Sequence, residues 1–154
     1  KYSSDVVMTG YCRVFENGTT IEKLLSLNEL CYKDNKITDD ILVPMIGASS
    51  YDKNDISVLM TASMNLYKRD LLVRYNINFE SEREYISEDI LFNLDVLSKA
   101  KCVSTVNLPL YYYRVNTASL TQTYKKDRYM KECILFGYLK RKLNDLGLYE
   151  RTKE

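Results

Sequence analysis

The chain has 154 residues, of which 45% are hydrophobic, and 22 Lys and Arg face 21 Asp and Glu for a formal charge of +1. That suits one domain with a real core and excludes a nucleic-acid partner, because no basic run supplies the footprint that phosphates require. No apolar stretch reaches bilayer length and no signal-peptide pattern opens the chain.

Residues 5–15, rich in Val, Met, Tyr and Phe, read as a strand. Asn17-Gly18 supplies a tight turn and Thr19-Thr20-Ile21 a returning strand. A short helix is predicted from after Thr38 to near Gly47, its length limited by Pro44. The polar stretch 47–57 reads as a loop, 58–67 as a strand and 68–75 as a short helix. The clearest helix runs from Glu88 to about Ala100, with Ser87 as N-cap and Ile90, Leu91, Leu94 and Leu97 on one apolar face. Two strands, 102–106 and 110–115, are predicted on either side of Asn107-Leu108-Pro109. Residues 126–147 form a terminal amphipathic helix with Met130, Cys133, Ile134, Leu139 and Leu143 among its apolar positions, and Gly147 stops it. Alternating strands and helices imply a single α/β domain over 1–154, its mixed sheet flanked by helices.

The cysteines, Cys12, Cys31, Cys102 and Cys133, lack the paired spacing of a zinc or redox site. They are expected to be reduced core residues of an intracellular protein, although spacing leaves a disulfide open. The expected location is cytoplasmic, with the inner face of the cell membrane as the alternative. Tyrosine is the compositional outlier, at 14 residues with no tryptophan. A phenol offers a flat apolar face with a hydrogen-bonding tip, which suits packing against sugar rings. Tyrosine also favours strands and half-buried surfaces, and that accounts for most of the fourteen.

Histidine, the usual proton acceptor near neutral pH, is missing altogether. General-base chemistry would therefore fall to a carboxylate, and Glu88 and Asp89, adjacent in the first turn of the clearest helix, are the best-placed pair. Acids in a first turn also complement the partial positive charge of a helix N-terminus, and most do nothing else. Thr38-Asp39-Asp40-Ile41-Leu42 repeats the same cap-acid-acid-apolar form as an internal control.

Three segments in a fixed order add to this reading. They are Leu66-Tyr67-Lys68-Arg69-Asp70-Leu71-Leu72, Glu88-Asp89-Ile90-Leu91-Phe92-Asn93-Leu94, and Pro109-Leu110-Tyr111-Tyr112-Tyr113-Arg114-Val115 with Ser119-Leu120-Thr121. Together they resemble the C-terminal half of bacterial family-two glycosyltransferases, nucleotide-sugar enzymes of the GT-A fold. Asp5-Val6-Val7 and Gly10-Tyr11-Cys12-Arg13-Val14-Phe15 resemble the strand that follows the family's metal motif. The resemblance spans residues 1 to about 146. Ser63-Met64-Asn65 departs from it, because many members carry a tryptophan and a lysine just before the Leu-Tyr pair.

The resemblance implies a fold, an activity and a set of residues. The fold is the acceptor-side half of a GT-A domain, and the half that binds the nucleotide is expected to lie upstream of Lys1. That upstream half would carry an Asp-x-Asp motif for a divalent cation, Mn or Mg, and no ligand motif for it is expected in this chain. The activity is inverting transfer from a nucleotide-sugar donor to a saccharide or lipid-linked saccharide acceptor, in bacterial surface polysaccharide synthesis. Asp89 would be the base and Glu88 its neighbour in acceptor binding. Arg114, with Ser119 and Thr121, would close over the donor phosphates, since a guanidinium grips diphosphate oxygens in two-pronged fashion. A strand-end arginine paired with a surface carboxylate is the plainer alternative. Asn65, Tyr112 and Tyr113 are candidate substrate contacts, with Tyr111 and Tyr113 on one side of a strand and Tyr112 on the other. A non-catalytic carbohydrate-binding or protein-interaction module on the same scaffold is the competing function. Half a sheet leaves an open edge, so the isolated chain is expected to be inert and to self-associate, for instance as a homodimer.

Overall fold

A computed structural model describes residues 3–47, 58–115 and 126–152. Its backbone is a mixed sheet flanked by helices, the α/β class expected. Strand β1 (Val6–Val14) lies at the centre, paired in parallel with β5 (Cys102–Arg114) from Val6↔Val103 to Val14↔Arg114. The hairpin predicted at Asn17-Gly18 is present and returns as β2 (Thr20–Lys23), antiparallel to the second half of β1. Gly18 takes the left-handed conformation the turn needs, and the Asn17 side chain accepts the Thr19 N–H at 3.0 Å.

One short strand escaped the sequence reading, and another is shorter than expected. Strand β3 (Cys31–Lys33) pairs antiparallel with the outer edge of β5. Of the expected strand at 58–67, only β4 (Asn65–Tyr67) is extended, and it pairs antiparallel with the first half of β1. Thus β2 and β4 lie end to end along the same edge of β1. At three residues each, β3 offers too little alternation to be read locally and β4 too little to set its bounds.

The break expected at Asn107-Leu108-Pro109 is not there: β5 runs through it as one strand, with the pairing register shifting on either side of Gly10. Extra residues on β5 form a bulge, and a bulge tolerates a proline that cannot donate to the ladder. Gly10 makes this close approach feasible. A Cβ there would stand 2.5 Å from the Lys23 carbonyl oxygen and 3.2 Å from that of Leu108, both backbone atoms. Gly10→Ala is therefore expected to destabilise the fold by about 1–3 kcal/mol through forced overpacking. Chemical denaturation checks this, and wild-type stability would mean that the Lys23 end of β2 yields freely.

The helices cover the sheet. A helical run begins as α1 (Asn35–Ile37), widens into a π-helical turn (Thr38–Leu42) and closes as α2 (Val43–Ile46). It starts before the predicted position, and the control acids Asp39 and Asp40 fall inside the turn rather than at a helix N-terminus. Helix α3 (Arg69–Tyr75) follows β4 as expected. Helix α4 (Glu88–Lys99) is buried nearly all round, because Phe92, Asn93 and Val96 join the four predicted apolar positions inside. A helix enclosed in this way belongs to the centre of the core. Ile37, Ile41, Leu42 and Met45 meet Leu94 and Val96 there.

Ser87 does not act as expected. Its backbone is left-handed, its side chain makes no cap bond, and its carbonyl accepts the Ile90 N–H at 3.1 Å. Helix α5 (Arg128–Asp145) stops at Gly147, in a left-handed conformation, and short α6 (Tyr149–Thr152) follows. Only part of the predicted apolar face of α5 is covered: Leu143 is buried, whereas Met130 is 61% and Ile134 51% exposed and Cys133 also faces outward. Cys133 is thus not a core thiol. The predicted loop at 47–57 lies, apart from Gly47, outside the described residues.

Candidate functional site

Glu88 and Asp89 form the first turn of α4 and are both half-buried. One turn further on, Asn93 is 2% exposed and belongs to a polar network inside the core. Its side-chain amide donates to the Met60 carbonyl, and its amide oxygen accepts the Tyr67 hydroxyl at 2.7 Å. Asn65 donates in turn to the Tyr67 oxygen at 3.0 Å and to the Thr61 carbonyl at 3.2 Å. Strand pairing explains the convergence, since Asn65 and Tyr67 alternate onto the same side of β4, opposite Met8 and Val6. The Tyr67 ring meets Phe92 edge-on at 5.1 Å, and Phe92 stacks on Phe79 at 3.9 Å.

Burial pushes the Tyr67 phenol up to about 12, and the negative charge of Asp89 adds to the rise. Hydrogen bonds to Asn65 and Asn93 pull the other way. The carboxylate of Asp89 is therefore within electrostatic reach of a neutral, fixed phenol. A phenol whose folded value lies above its unfolded value near 10 favours the fold while protonated. That contribution is intact below pH 10 and is lost as pH rises towards 12, by roughly 2–3 kcal/mol. Denaturation followed across this window should show the decline, and Tyr67→Phe should flatten it. Tyr138, also raised to about 12 by burial and by its hydrogen bond to Glu80, leaves a residual slope. An unchanged slope in Tyr67→Phe would contradict the assignment.

The segment 59–64 is thus tied to α4 on one side through Met60. On the other it walls a cleft of about 240 Å³ whose lining includes Tyr11, Arg13, Thr61, Ser63, Tyr111 and Tyr113. Register creates this cleft: Tyr11 pairs with Tyr111 and Arg13 with Tyr113, so four side chains from two parallel strands share one side. Thr9, itself buried, donates to the Met64 carbonyl at 2.8 Å and pins the wall onto β1.

Of the residues singled out from sequence, Asn65 bonds to Tyr67, Asp89 acts on Tyr67 electrostatically, and Tyr113 falls in the cleft. Tyr112 alternates away from the cleft and is 70% exposed. Arg114 also alternates away, at the exposed end of β5 beside Val14. Neither side of this tyrosine run is buried core, because Tyr111 is half-buried and Tyr113 exposed. Ser119 and Thr121 lie outside the described residues. Tyr11, Arg13, Tyr67 and Asn93 were missed as site residues. The alternation of Tyr11 and Arg13 along β1 was visible in the sequence, but their partners on β5 were not.

Asp5, just ahead of β1, is structural. Its carboxylate accepts the backbone N–H groups of Lys101 and Cys102, at 2.8 and 3.3 Å, and fixes the start of β5. The sulfurs of Cys31 and Cys102 lie 3.1 Å apart across β3 and β5 as free thiols. The bond to Cys102 and, next, burial raise Cys31 above the ordinary thiol range, which suppresses the thiolate a nucleophile requires.

Among the described residues, no group of three or more Cys, Asp or Glu side chains could hold a metal ion. The resemblance puts the ligands of its divalent cation outside this sequence, so no step is routed through one here. No described helix is long and apolar enough to cross a membrane. No protein-family model matches the chain, and no curated protein matches it.

Proposed function

We propose that this chain is the acceptor-side half of a GT-A-type inverting glycosyltransferase. It moves a sugar from a nucleotide-diphosphate donor to a hydroxyl of a saccharide or lipid-linked acceptor, in the synthesis of a bacterial surface polysaccharide. The order of the Leu66–Leu72, Glu88–Leu94 and Pro109–Thr121 segments supports this reading, as does the mixed sheet flanked by helices. The observation that carries it is the setting of Asp89: half-buried at the head of a core helix and within electrostatic reach of the Tyr67 phenol, which Asn93 in turn joins to the 59–64 segment lining a tyrosine-rich cleft.

In this mechanism the Asp89 carboxylate takes the proton from the acceptor hydroxyl. The acceptor oxygen bonds to the anomeric carbon as the bond to the diphosphate oxygen breaks, and the electron pair leaves with the diphosphate. Attack opposite the leaving group inverts the anomeric centre. Glu88 orients the acceptor, while Arg114, with Ser119 and Thr121, receives the donor phosphates. A nucleotide-binding half outside this sequence supplies the rest of the donor site.

Calorimetric titration of the full-length protein with uridine diphosphate and manganese tests the assignment. Arg114→Gln is expected to weaken diphosphate binding roughly 10- to 100-fold, the usual worth of charge-assisted hydrogen bonds. Equal affinity in the variant would remove Arg114 from the donor site. Glycan binding with no response to nucleotide or manganese would make the protein a carbohydrate-binding module instead.

A further inference from the structure

We infer that the cleft between the second halves of β1 and β5 and the 59–64 segment binds a single sugar ring carrying an anionic group, a carboxylate or a phosphate. This deepens the reading above and rests on it for the word sugar; the preference for an anion comes from the cleft itself. Its base is a tyrosine floor: Tyr11 beside Tyr111 on adjacent parallel strands, with Tyr113 one pair further on. Phenol faces on strands about 4.8 Å apart present a flat apolar surface of the kind that packs on the C–H face of a sugar. Thr61 and Ser63, their hydroxyl oxygens 3.0 Å apart, stand on the opposite wall and offer paired donors and acceptors to ring hydroxyls.

The volume sets the size of the ligand. At about 240 Å³, the cleft falls below the roughly 300–1,000 Å³ of pockets that enclose drug-sized molecules, so it fits one ring rather than an oligosaccharide. Charge sets the class. Among the described residues, Arg13 is the only ionised side chain in the lining, no Asp or Glu lines the cleft, and Arg13 is in none of the ion pairs. A guanidinium with no carboxylate partner among the described residues, at one end of an aromatic floor, is a receptor for a planar carboxylate or a phosphate. The site is also preorganised. Thr9 fixes Met64, and Asn93 fixes Met60, so the wall is in place before a ligand arrives.

The test is calorimetric titration of the full-length protein with glucuronate, glucose 6-phosphate, glucose and inorganic phosphate. At least one anionic sugar should bind, with glucose and inorganic phosphate each weaker by tenfold or more; the tighter of the two sugars identifies the anion as carboxylate or phosphate. Arg13→Gln should abolish the preference over glucose, and Tyr111→Leu should weaken every sugar. Should Tyr111→Leu fail to fold, Tyr113→Leu at an exposed position serves the same purpose. Three results would overturn the inference: equal binding of glucose and the anionic sugars, unchanged binding in Arg13→Gln, or inorganic phosphate binding as tightly as the sugars. The two readings fail separately. Transfer that survives Asp89→Asn sinks the base and leaves the cleft standing, whereas absent sugar binding with intact diphosphate binding sinks the cleft alone.

Discussion

Asp89→Asn in the full-length protein should lower the transfer rate by roughly 10²- to 10⁴-fold, the span that a positioned general base contributes, while diphosphate binding stays within twofold or so of wild type. The amide keeps the size and shape of the side chain and can still accept a hydrogen bond, but it cannot take up the hydroxyl proton. The chain has no histidine to substitute, and Glu88 leaves α4 in a different direction about 100° around the helix axis, so neither is placed to rescue the variant. Glu88→Gln is accordingly expected to act mainly on the acceptor KM. Loss of the Asp89 charge also removes one of the causes that raise Tyr67. The Tyr67 titration in Asp89→Asn should therefore begin at lower pH, a spectroscopic signature independent of turnover. Initial rates with donor in excess give the first result and ultraviolet titration the second. Undiminished transfer would exclude Asp89 from the chemistry.

Asn93→Ala should destabilise the fold by about 2–4 kcal/mol. The side chain is 2% exposed and satisfies two half-buried groups at once, the Met60 carbonyl and the Tyr67 hydroxyl. Removing it leaves the first without this donor and the second without its closest acceptor, and each orphaned group costs about 1–3 kcal/mol. Asn93→Asp should fare no better. A carboxylate still accepts from Tyr67, but it cannot donate to Met60, and it places a charge where water cannot reach it. Because Met60 sits between Leu59 and Thr61 of the cleft lining, both substitutions should also weaken sugar binding there. Urea denaturation combined with the sugar titration separates this position from an ordinary core site, at which stability would fall and binding in the folded fraction would not. A change below about 0.5 kcal/mol, the range of ordinary surface substitutions, would show that the network contributes little.

The sequence was most informative where a signal is local. Helix α4 was legible from the spacing of Ile90, Leu91, Leu94 and Leu97, and the β1–β2 hairpin from Asn17-Gly18, because each pattern repeats within a few residues. The acidic pair was legible as well, and its internal control proved useful: Asp39 and Asp40 share the motif yet sit inside a π-helical turn, with Asp39 paired to Arg151 at 2.7 Å. The same cap-acid-acid-apolar form thus has different surroundings, and only the surroundings separate a half-buried acid within electrostatic reach of a phenol from a surface ion pair.

What the sequence determined by itself was the α/β class, the extended run that forms β1 and the helix α4, since periodicity and turn chemistry act over a handful of neighbours. Tertiary structure decided the rest. Pro109 reads locally as a strand breaker, but the opposing Gly10 leaves room for a bulge, so β5 continues through it. Tyr11 and Tyr111 face the same cleft only because parallel pairing brings together residues a hundred positions apart. The Tyr67–Asn93 bond likewise joins a three-residue edge strand to a core helix. Contacts of that sequence separation leave no local periodicity. They exist because burying α4 against the sheet forces each enclosed polar group to find a partner.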